Sequence, residues 1–216
     1  LGSRSIAIGY KALEKQNFTT ATDTYNTAVG HAAGNKITTG VRNTILGGLA
    51  GESFTDADRN VAVGYAALFD DTLGSKSVAV GSFALNAQNF TTATDSFNTA
   101  VGYFAGVAVT TGQYNTLIGA EVGDAITTGT ENTGVGYNSI GAITTGSYNT
   151  ALGKGSLASD TLGAQSVAIG ANALQTQNFT TSTNALNTAV GYYAGQSVTT
   201  ATFSTIVGGL AGDAIT

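Results

Sequence analysis

The hydrophobic and polar positions of this chain follow a recurring five-residue pattern. It reads Asn or Ser, Thr or Val, Ala, Val or Ile, and then Gly, and we call each occurrence a cassette. Small and β-branched residues that alternate and end at Gly are typical of short β-strands separated by turns. The cassettes begin at Ser5, Asn26, Asn43, Asn60, Ser77, Asn98, Asn115, Asn132, Asn149, Ser166, Asn187 and Ser204.

The spacing of the cassettes predicts the fold. Neighbouring cassettes start 17 residues apart, or 21 residues apart at three places where four residues are inserted. A unit this short cannot bury a hydrophobic face alone, so each repeat must stack on its neighbours. The sequence therefore predicts an all-β fold, a parallel β-solenoid of twelve coils in a single repeat domain over residues 1–216. We expect one strand in each cassette and a second, shorter strand at the Ile/Val-Thr-Thr segment.

Side-chain alternation along a strand predicts which cassette positions face inward. Positions two and four lie on one face of the strand, and position four is aliphatic in every copy. We therefore expect positions two and four to line the interior, with position one, mostly Asn, forming a ladder of amides. Position three would then face outward as a small apolar column, which predicts a subunit interface at Ala7, Ala28, Ala62, Ala79, Ala100, Ala151, Ala168 and Ala189.

The composition excludes several classes of protein. The chain holds 30 Gly but no Pro, Cys, Met or Trp, and 42% of its residues are hydrophobic. This hydrophobic fraction excludes a disordered tail, and the lack of Cys excludes disulfides and thiolate metal sites. A net charge of −5 argues against nucleic acid and anionic lipid as partners. No apolar run reaches the roughly 18 residues of a membrane span, so we expect no membrane insertion in this segment.

The cassettes also resemble those of a known family. Residues 5–9, 77–81 and 166–170 are similar to the SVAIG motif of trimeric autotransporter adhesin heads of the YadA type. The longer form at residues 98–106 resembles repeats of bacterial and phage tail-fibre-domain proteins. The resemblance implies a left-handed parallel β-roll, commonly trimeric, that is exposed on a cell or virion surface and used in adhesion. This chain differs from the adhesin pattern in its longer coil of 17 residues.

The three insertions carry nearly the same sequence, Gln-Asn-Phe-Thr-Thr. Each contains an Asn-Phe-Thr sequon, and the three asparagines are Asn17, Asn89 and Asn178. A loop that protrudes periodically is a candidate for glycosylation or recognition. The alternative is a structural turn in which the Phe packs over the coil.

The two ends of the chain are complementary in the repeat. The 13 residues from Ser204 to Thr216 and the four before Ser5 together make one 17-residue coil. We therefore expect axial continuation, either covalent or by end-to-end assembly, at a junction of Leu1, Gly2, Ser3, Arg4, Ile215 and Thr216.

Candidate chemistry is sparse. His31 follows a cassette where other copies have Tyr, so it reads as a substituted ladder residue rather than a catalyst. Asp56, Asp58, Asp70 and Asp71 could bind a hard cation but follow no calcium-binding pattern, so we expect solvated turn carboxylates. The sequence predicts no catalytic residues, no metal site and no cofactor. Aromatic residues that precede cassettes suggest a structural stack, with a sugar-binding strip as the alternative, at Tyr25, Phe97, Tyr114, Tyr148 and Phe203.

Three classes of function fit these features to different degrees. The first is a structural or adhesive module of an extracellular fibre, cell-surface adhesin or virion fibre. It would associate with itself end to end or laterally and bind a host-cell, matrix or glycan ligand. The second is an ice-binding or glycan-binding solenoid, because flat Thr-rich faces can order water. The third, a polysaccharide-degrading enzyme, should show a carboxylate cluster that this sequence lacks. The first class is the expectation carried forward, with no catalysis.

Overall fold

The computed structural model describes residues 2–213 of the chain. The chain divides into two compact units, Leu1–Thr111 and Gly112–Thr216. Each unit contains six cassette strands, and the two are described separately below. The single repeat domain expected over 1–216 stays a prediction.

The strands are short, with three residues in each cassette and two residues elsewhere. In chain order they are β1 (Gly2–Ser3), β2 (Ile6–Ile8), β3 (Thr22–Asp23), β4 (Thr27–Val29), β5 (Thr44–Leu46), β6 (Val61–Val63), β7 (Gly74–Ser75), β8 (Val78–Val80), β9 (Thr94–Asp95), β10 (Thr99–Val101), β11 (Thr116–Ile118), β12 (Thr133–Val135), β13 (Thr150–Leu152), β14 (Gly163–Ala164), β15 (Val167–Ile169), β16 (Thr183–Asn184), β17 (Thr188–Val190) and β18 (Thr205–Val207).

The cassette strands of each unit form a parallel sheet. The order is β2, β4, β5, β6, β8, β10 in the first unit and β11, β12, β13, β15, β17, β18 in the second. Each strand pairs with the equivalent residues of the next cassette, as Thr27 with Thr44 across a 17-residue coil and Ile6 with Thr27 across a 21-residue coil. This register confirms the predicted parallel β-solenoid.

The second strand was predicted at the wrong place. In the 17-residue coils the Ile/Val-Thr-Thr segment is bent, because the N–H groups of Thr38, Thr39 and Gly40 all donate to the carbonyl of Thr55. Three donors that converge on one acceptor turn the chain instead of extending it. The two-residue strands occur instead where a 21-residue coil packs on the preceding coil, in the pairs β1–β3, β7–β9 and β14–β16.

The structure corrects the assignment of the interior. Position three of the cassette is buried in every described coil except at Ala7, while positions two and four are half-buried or exposed. The alanines expected at a subunit interface therefore point into the coil and cannot form one: Ala28, Ala62, Ala79, Ala100, Ala151, Ala168 and Ala189. Ala7 pairs with Ala28 and shares this orientation, but it is exposed because no described coil covers it.

The expected ladder of amides is present and explains the orientation of the strand. The side chain of Asn43 donates from Nδ2 to the carbonyl of Ala57 (2.7 Å), at the end of its own coil. Its Oδ1 accepts the backbone N–H of Asn60 in the next coil (2.9 Å). The same pair of bonds recurs at Asn132, with Gly146 and Asn149. Position one is therefore an interior position, and alternation places position three beside it.

The 21-residue coils replace this amide by a longer side chain. Each of them begins with Ser instead of Asn, and a serine hydroxyl is too short to span the coil. In the coil of Ser77 the buried Gln88 takes over, because its Nε2 donates to Ser77 Oγ (3.0 Å) and its Oε1 accepts from Asn98 Nδ2 (2.9 Å). The replacement of Asn by Ser and the insertion of Gln-Asn-Phe-Thr-Thr therefore occur together, because the inserted Gln supplies the amide that the Ser lacks.

The described residues contain strands, turns and bends but no helix. Residues 2–213 accordingly offer no helix with the length and apolar character needed to cross a membrane.

The glycine that ends each cassette provides a stability test. Gly64 has φ +132°, and a Cβ there would lie 2.5 Å from the carbonyl oxygen of Gly81 in the next coil. We expect Gly64→Ala to lower the free energy of unfolding by about 3 kcal/mol, because both the backbone conformation and the coil contact are lost. Gly48→Ala is the matched control, since a Cβ at Gly48 meets nothing closer than 3.6 Å. Equal losses in urea unfolding of the two variants would contradict this account.

Candidate functional site

The outer face of the parallel sheet is the candidate functional site. It consists of positions two and four of each cassette, which we call the outer strip, and all of its residues are Thr, Val, Ile or Leu. None of these side chains is buried where the structure describes the chain. The most exposed aliphatic members are Ile6, Ile8, Leu46, Ile118, Leu152 and Val207. Each unit thus presents an uncharged sheet surface to solvent.

Aromatic columns flank the outer strip. The residues just before each cassette form the pre-cassette column, and its aromatic members Tyr25, Phe97, Tyr114, Tyr148 and Phe203 are all exposed. On the other side, Tyr10, Tyr65, Tyr103, Tyr137 and Tyr192 follow the cassette glycine and are also exposed. His31 occupies the same column and stacks on Tyr10, with ring centroids 5.6 Å apart. This placement agrees with a substituted ladder residue.

The insertion loops expose their asparagines and bury their phenylalanines. Asn17, Asn89 and Asn178 are exposed, while Phe18, Phe90 and Phe179 are buried. Asn89 Oδ1 accepts from Thr72 Oγ1 (3.0 Å), and Asn178 Oδ1 accepts from Thr161 Oγ1 (3.0 Å). The structural role of the Phe is present, and glycosylation or recognition at the exposed Asn stays a prediction.

The residues of the expected axial junction are described only in part. Gly2 and Ser3 form β1 and pair with Thr22 and Asp23. Arg4 is exposed and forms an ion pair with Asp23 (3.3 Å). Leu1, Ile215 and Thr216 lie outside the described residues.

A buried carboxylate lies beneath two of the long coils. Asp71 accepts hydrogen bonds from Gln88 Nε2 (2.5 Å) and from the backbone N–H of Gly74 (2.9 Å) and Phe90 (3.3 Å). Burial raises the pKa of the Asp71 carboxyl above its ordinary value, against the opposing effect of these hydrogen bonds. Asp160 makes the same contacts with Gln177, Gly163 and Phe179. Both carboxylates connect coils instead of facing a ligand.

The other aspartates considered as cation ligands are apart from this network. Asp56 and Asp70 are exposed, and Asp58 accepts the backbone N–H of Val41 (2.8 Å). Asp71 was expected to be a solvated turn carboxylate, and its complete burial shows that this expectation was wrong. Within residues 2–213 no group of three or more His, Asp or Glu side chains is arranged to hold a metal ion.

The sequence analysis expected the outer strip to line the interior of the coil, whereas the structure places it on the outer face. The sequence does indicate the correct orientation, because Asn at position one and Ala at position three point to the same face of the strand. A buried amide ladder at position one therefore requires position three to be buried as well.

Comparison with known proteins gives no relative for this chain. No family model, curated protein or solved structure matches it.

The buried carboxylate predicts a pH dependence. Because the folded-state pKa of Asp71 is raised, its contribution to stability is present below the unfolded-state pKa and is lost as the pH rises through the folded-state value. The free energy of unfolding of the wild type, relative to that of Asp71→Asn, should therefore fall as the pH rises above the ordinary Asp pKa of about 4. Urea titrations at several pH values measure this difference. Asp70→Asn removes the exposed neighbouring carboxylate and is the matched control, and a pH-independent difference for Asp71→Asn would contradict the assignment.

Proposed function

We propose that this chain is a structural or adhesive module of an extracellular fibre or surface adhesin, in which copies associate laterally through the outer strip. The observation that carries the proposal is the uncharged, apolar outer face of the parallel sheet in each unit. Solvated strand faces and sheet edges commonly carry charged residues that prevent association. The outer strip has none in any of its 24 positions.

The aliphatic side chains of the outer strip favour a partner whose surface is equally flat and apolar. Exposed aliphatic side chains gain about 25 cal/mol for each Å² removed from water, and the gain requires close surface contact. Side chains at positions two and four are short and repeat at every coil, so the face is even along the stack. A second copy offers the same repeat and the same evenness. Lateral association of copies therefore explains an aliphatic column that a lone chain leaves in solvent.

Axial growth and surface display are further parts of the proposal. The amide ladder that joins one coil to the next is the same bond pattern at Asn43 and at Asn132, so stacking can continue by repetition of one contact. The resemblance of the cassettes to adhesin head repeats supports an extracellular location and an adhesive role. A trimer is the oligomer implied by that resemblance.

Substitutions on the outer strip test lateral association. Leu46 and Leu152 are 49% and 47% exposed, one in each unit. We expect the wild type to sediment as a laterally associated oligomer and Leu46→Glu/Leu152→Glu to sediment as a smaller species that has lost lateral association, because the charges would be desolvated in the interface.

The control places the same charges elsewhere on the surface. Thr111 and Thr145 are exposed but lie outside the outer strip, so Thr111→Glu/Thr145→Glu should sediment like the wild type. A monomeric wild type, or equal dissociation of both double variants, would overturn the proposal. Circular dichroism of each variant confirms that the solenoid remains folded.

Ice binding by the same face is a second candidate function. The observation in its favour is that the Thr side chains of position two face outward next to the aliphatic column, as at Thr116, Thr133 and Thr150 in successive coils. An even array of hydroxyl and methyl groups is suited to ordering water. Thermal hysteresis in the wild type that is lost in Thr133→Lys/Thr150→Lys would support this candidate, and its absence from the wild type would exclude it.

A further inference from the structure

The pre-cassette column of the first unit carries a row of cations. Arg42, Arg59 and Lys76 precede three consecutive cassettes, and the pairing of β5 with β6 and of β6 with β8 sets them side by side. Neighbouring members are about 4.8 Å apart along the stack, the separation of paired strands. Arg4 adds a fourth cation to the same column.

The backbone fixes these side chains in one direction. Arg42, Arg59 and Lys76 have φ values of 60°, 58° and 62°, all in the left-handed region. The column therefore starts these side chains in the same direction from neighbouring coils, and like charges on neighbouring strands oppose one another. Such an arrangement lowers stability unless a counter-charge lies nearby.

Two of the cations make no ion pair with the described residues of the chain. Lys76 forms an ion pair with Asp95 (2.5 Å) and lies over the ring of Phe97 (5.1 Å). Within residues 2–213, neither Arg42 nor Arg59 makes an ion pair. The nearby carboxylates of Asp56 and Asp58 accept hydrogen bonds from Thr39 Oγ1 (2.7 Å) and from the N–H of Val41, and neither lies within ion-pair distance of the two guanidinium groups. Both guanidinium groups are exposed and free to bind an external anion.

The second unit provides an internal comparison. Its pre-cassette column contains Tyr114, Glu131, Tyr148, Gln165, Leu186 and Phe203 and therefore no cation. Seven of the eight Lys and Arg residues of the chain lie before residue 112. The cation row is thus a local feature of the first unit, not a general property of the repeat.

We infer that Arg42 and Arg59, with Lys76 beside them, form a binding track for an acidic polysaccharide. A linear glycan of uronate or sulfated sugars presents a regular row of acidic groups, which matches a row of cations. Tyr25 and Phe97, both exposed aromatic residues of the same column, stand at the two ends of the row, where Arg4 and Lys76 lie over their rings. A duplex nucleic acid fits less well, because its phosphates repeat at about 3.4 Å per strand along the axis, a spacing that does not match that of the row.

This inference names the ligand class for the adhesive part of the proposed function and rests on that part alone. It does not depend on lateral association, because the pre-cassette column is separate from the outer strip.

Calorimetric titration of the full chain tests the track. The probes are an oligogalacturonate hexamer for carboxylate glycans and a heparin hexasaccharide for sulfated glycans. We expect at least one of them to bind at low salt, and Arg42→Gln/Arg59→Gln to weaken that binding by about tenfold or more. Gln is a conservative choice because Gln165 occupies the same column with φ 61°. Arg42→Lys/Arg59→Lys should retain most of the affinity.

The controls separate the track from general charge effects. Lys11→Gln/Lys15→Gln removes the same charge from two exposed residues of the same unit and should leave binding within about twofold of the wild type. The inference is overturned if neither glycan binds the wild type, if both double Gln variants lose affinity equally, or if oligothymidylate or polyglutamate binds as tightly as the glycans. Sedimentation of the same samples reports lateral association independently, so failure of one proposal is distinguishable from failure of the other.

Discussion

The buried amide at position one of the cassette is the interaction on which the rest of the structure depends. Each Asn closes its own coil through Nδ2 and holds the next coil through Oδ1, so one side chain sets both the size of the coil and the register of the stack. A buried amide without partners would cost about 1–3 kcal/mol, and the ladder satisfies it at every step. In the 21-residue coil of Ser77 the buried Gln88 replaces this amide, because it bonds to Ser77 of its own coil and to Asn98 of the next coil.

The amide ladder also decides what the protein shows to solvent. Because position one is inside, alternation puts position three inside and positions two and four outside. Ala fits position three because the interior is narrow, and the aliphatic residues of position four are left on the surface. The same sheet is therefore closely packed on one side and uncovered on the other. The proposed interface between copies rests on this asymmetry, while the Asp71 network and the insertion loops modify individual coils.

The repeat period, the cassette strands and the parallel stacking could be predicted from the sequence, because each depends on local spacing, whereas the two-residue strands could not. The direction of the strand could not be predicted from hydrophobicity, since Val at position four is more apolar than Ala at position three. The sizes of the residues at positions three and nine, counted from the start of each cassette, indicate the interior better, because a large residue at one position is matched by a small residue at the other. Ile45, Leu117 and Ile206 replace Ala at position three only in coils that have Gly at position nine, whereas Gly134 occurs where position nine is Ile140. A Cβ at Gly134 would lie 2.8 Å from Ile140 Cδ1, so the two positions share one interior space. The cation row could be found in the sequence, but the absence of ion pairs at Arg42 and Arg59 among the described residues needed the structure.

Thiol labelling of single cysteines tests the orientation of the cassette strand most directly. The chain has no Cys, so Val61→Cys, Ala62→Cys and Val63→Cys can be compared in an unmodified background. The account predicts rapid labelling at positions 61 and 63 in dilute protein and strong protection at position 62, whose native side chain is completely buried. Labelling at position 63 should slow as the protein concentration rises and copies associate. Labelling at position 62 as fast as at 61 and 63 would contradict the central claim that the cassette faces inward at position three.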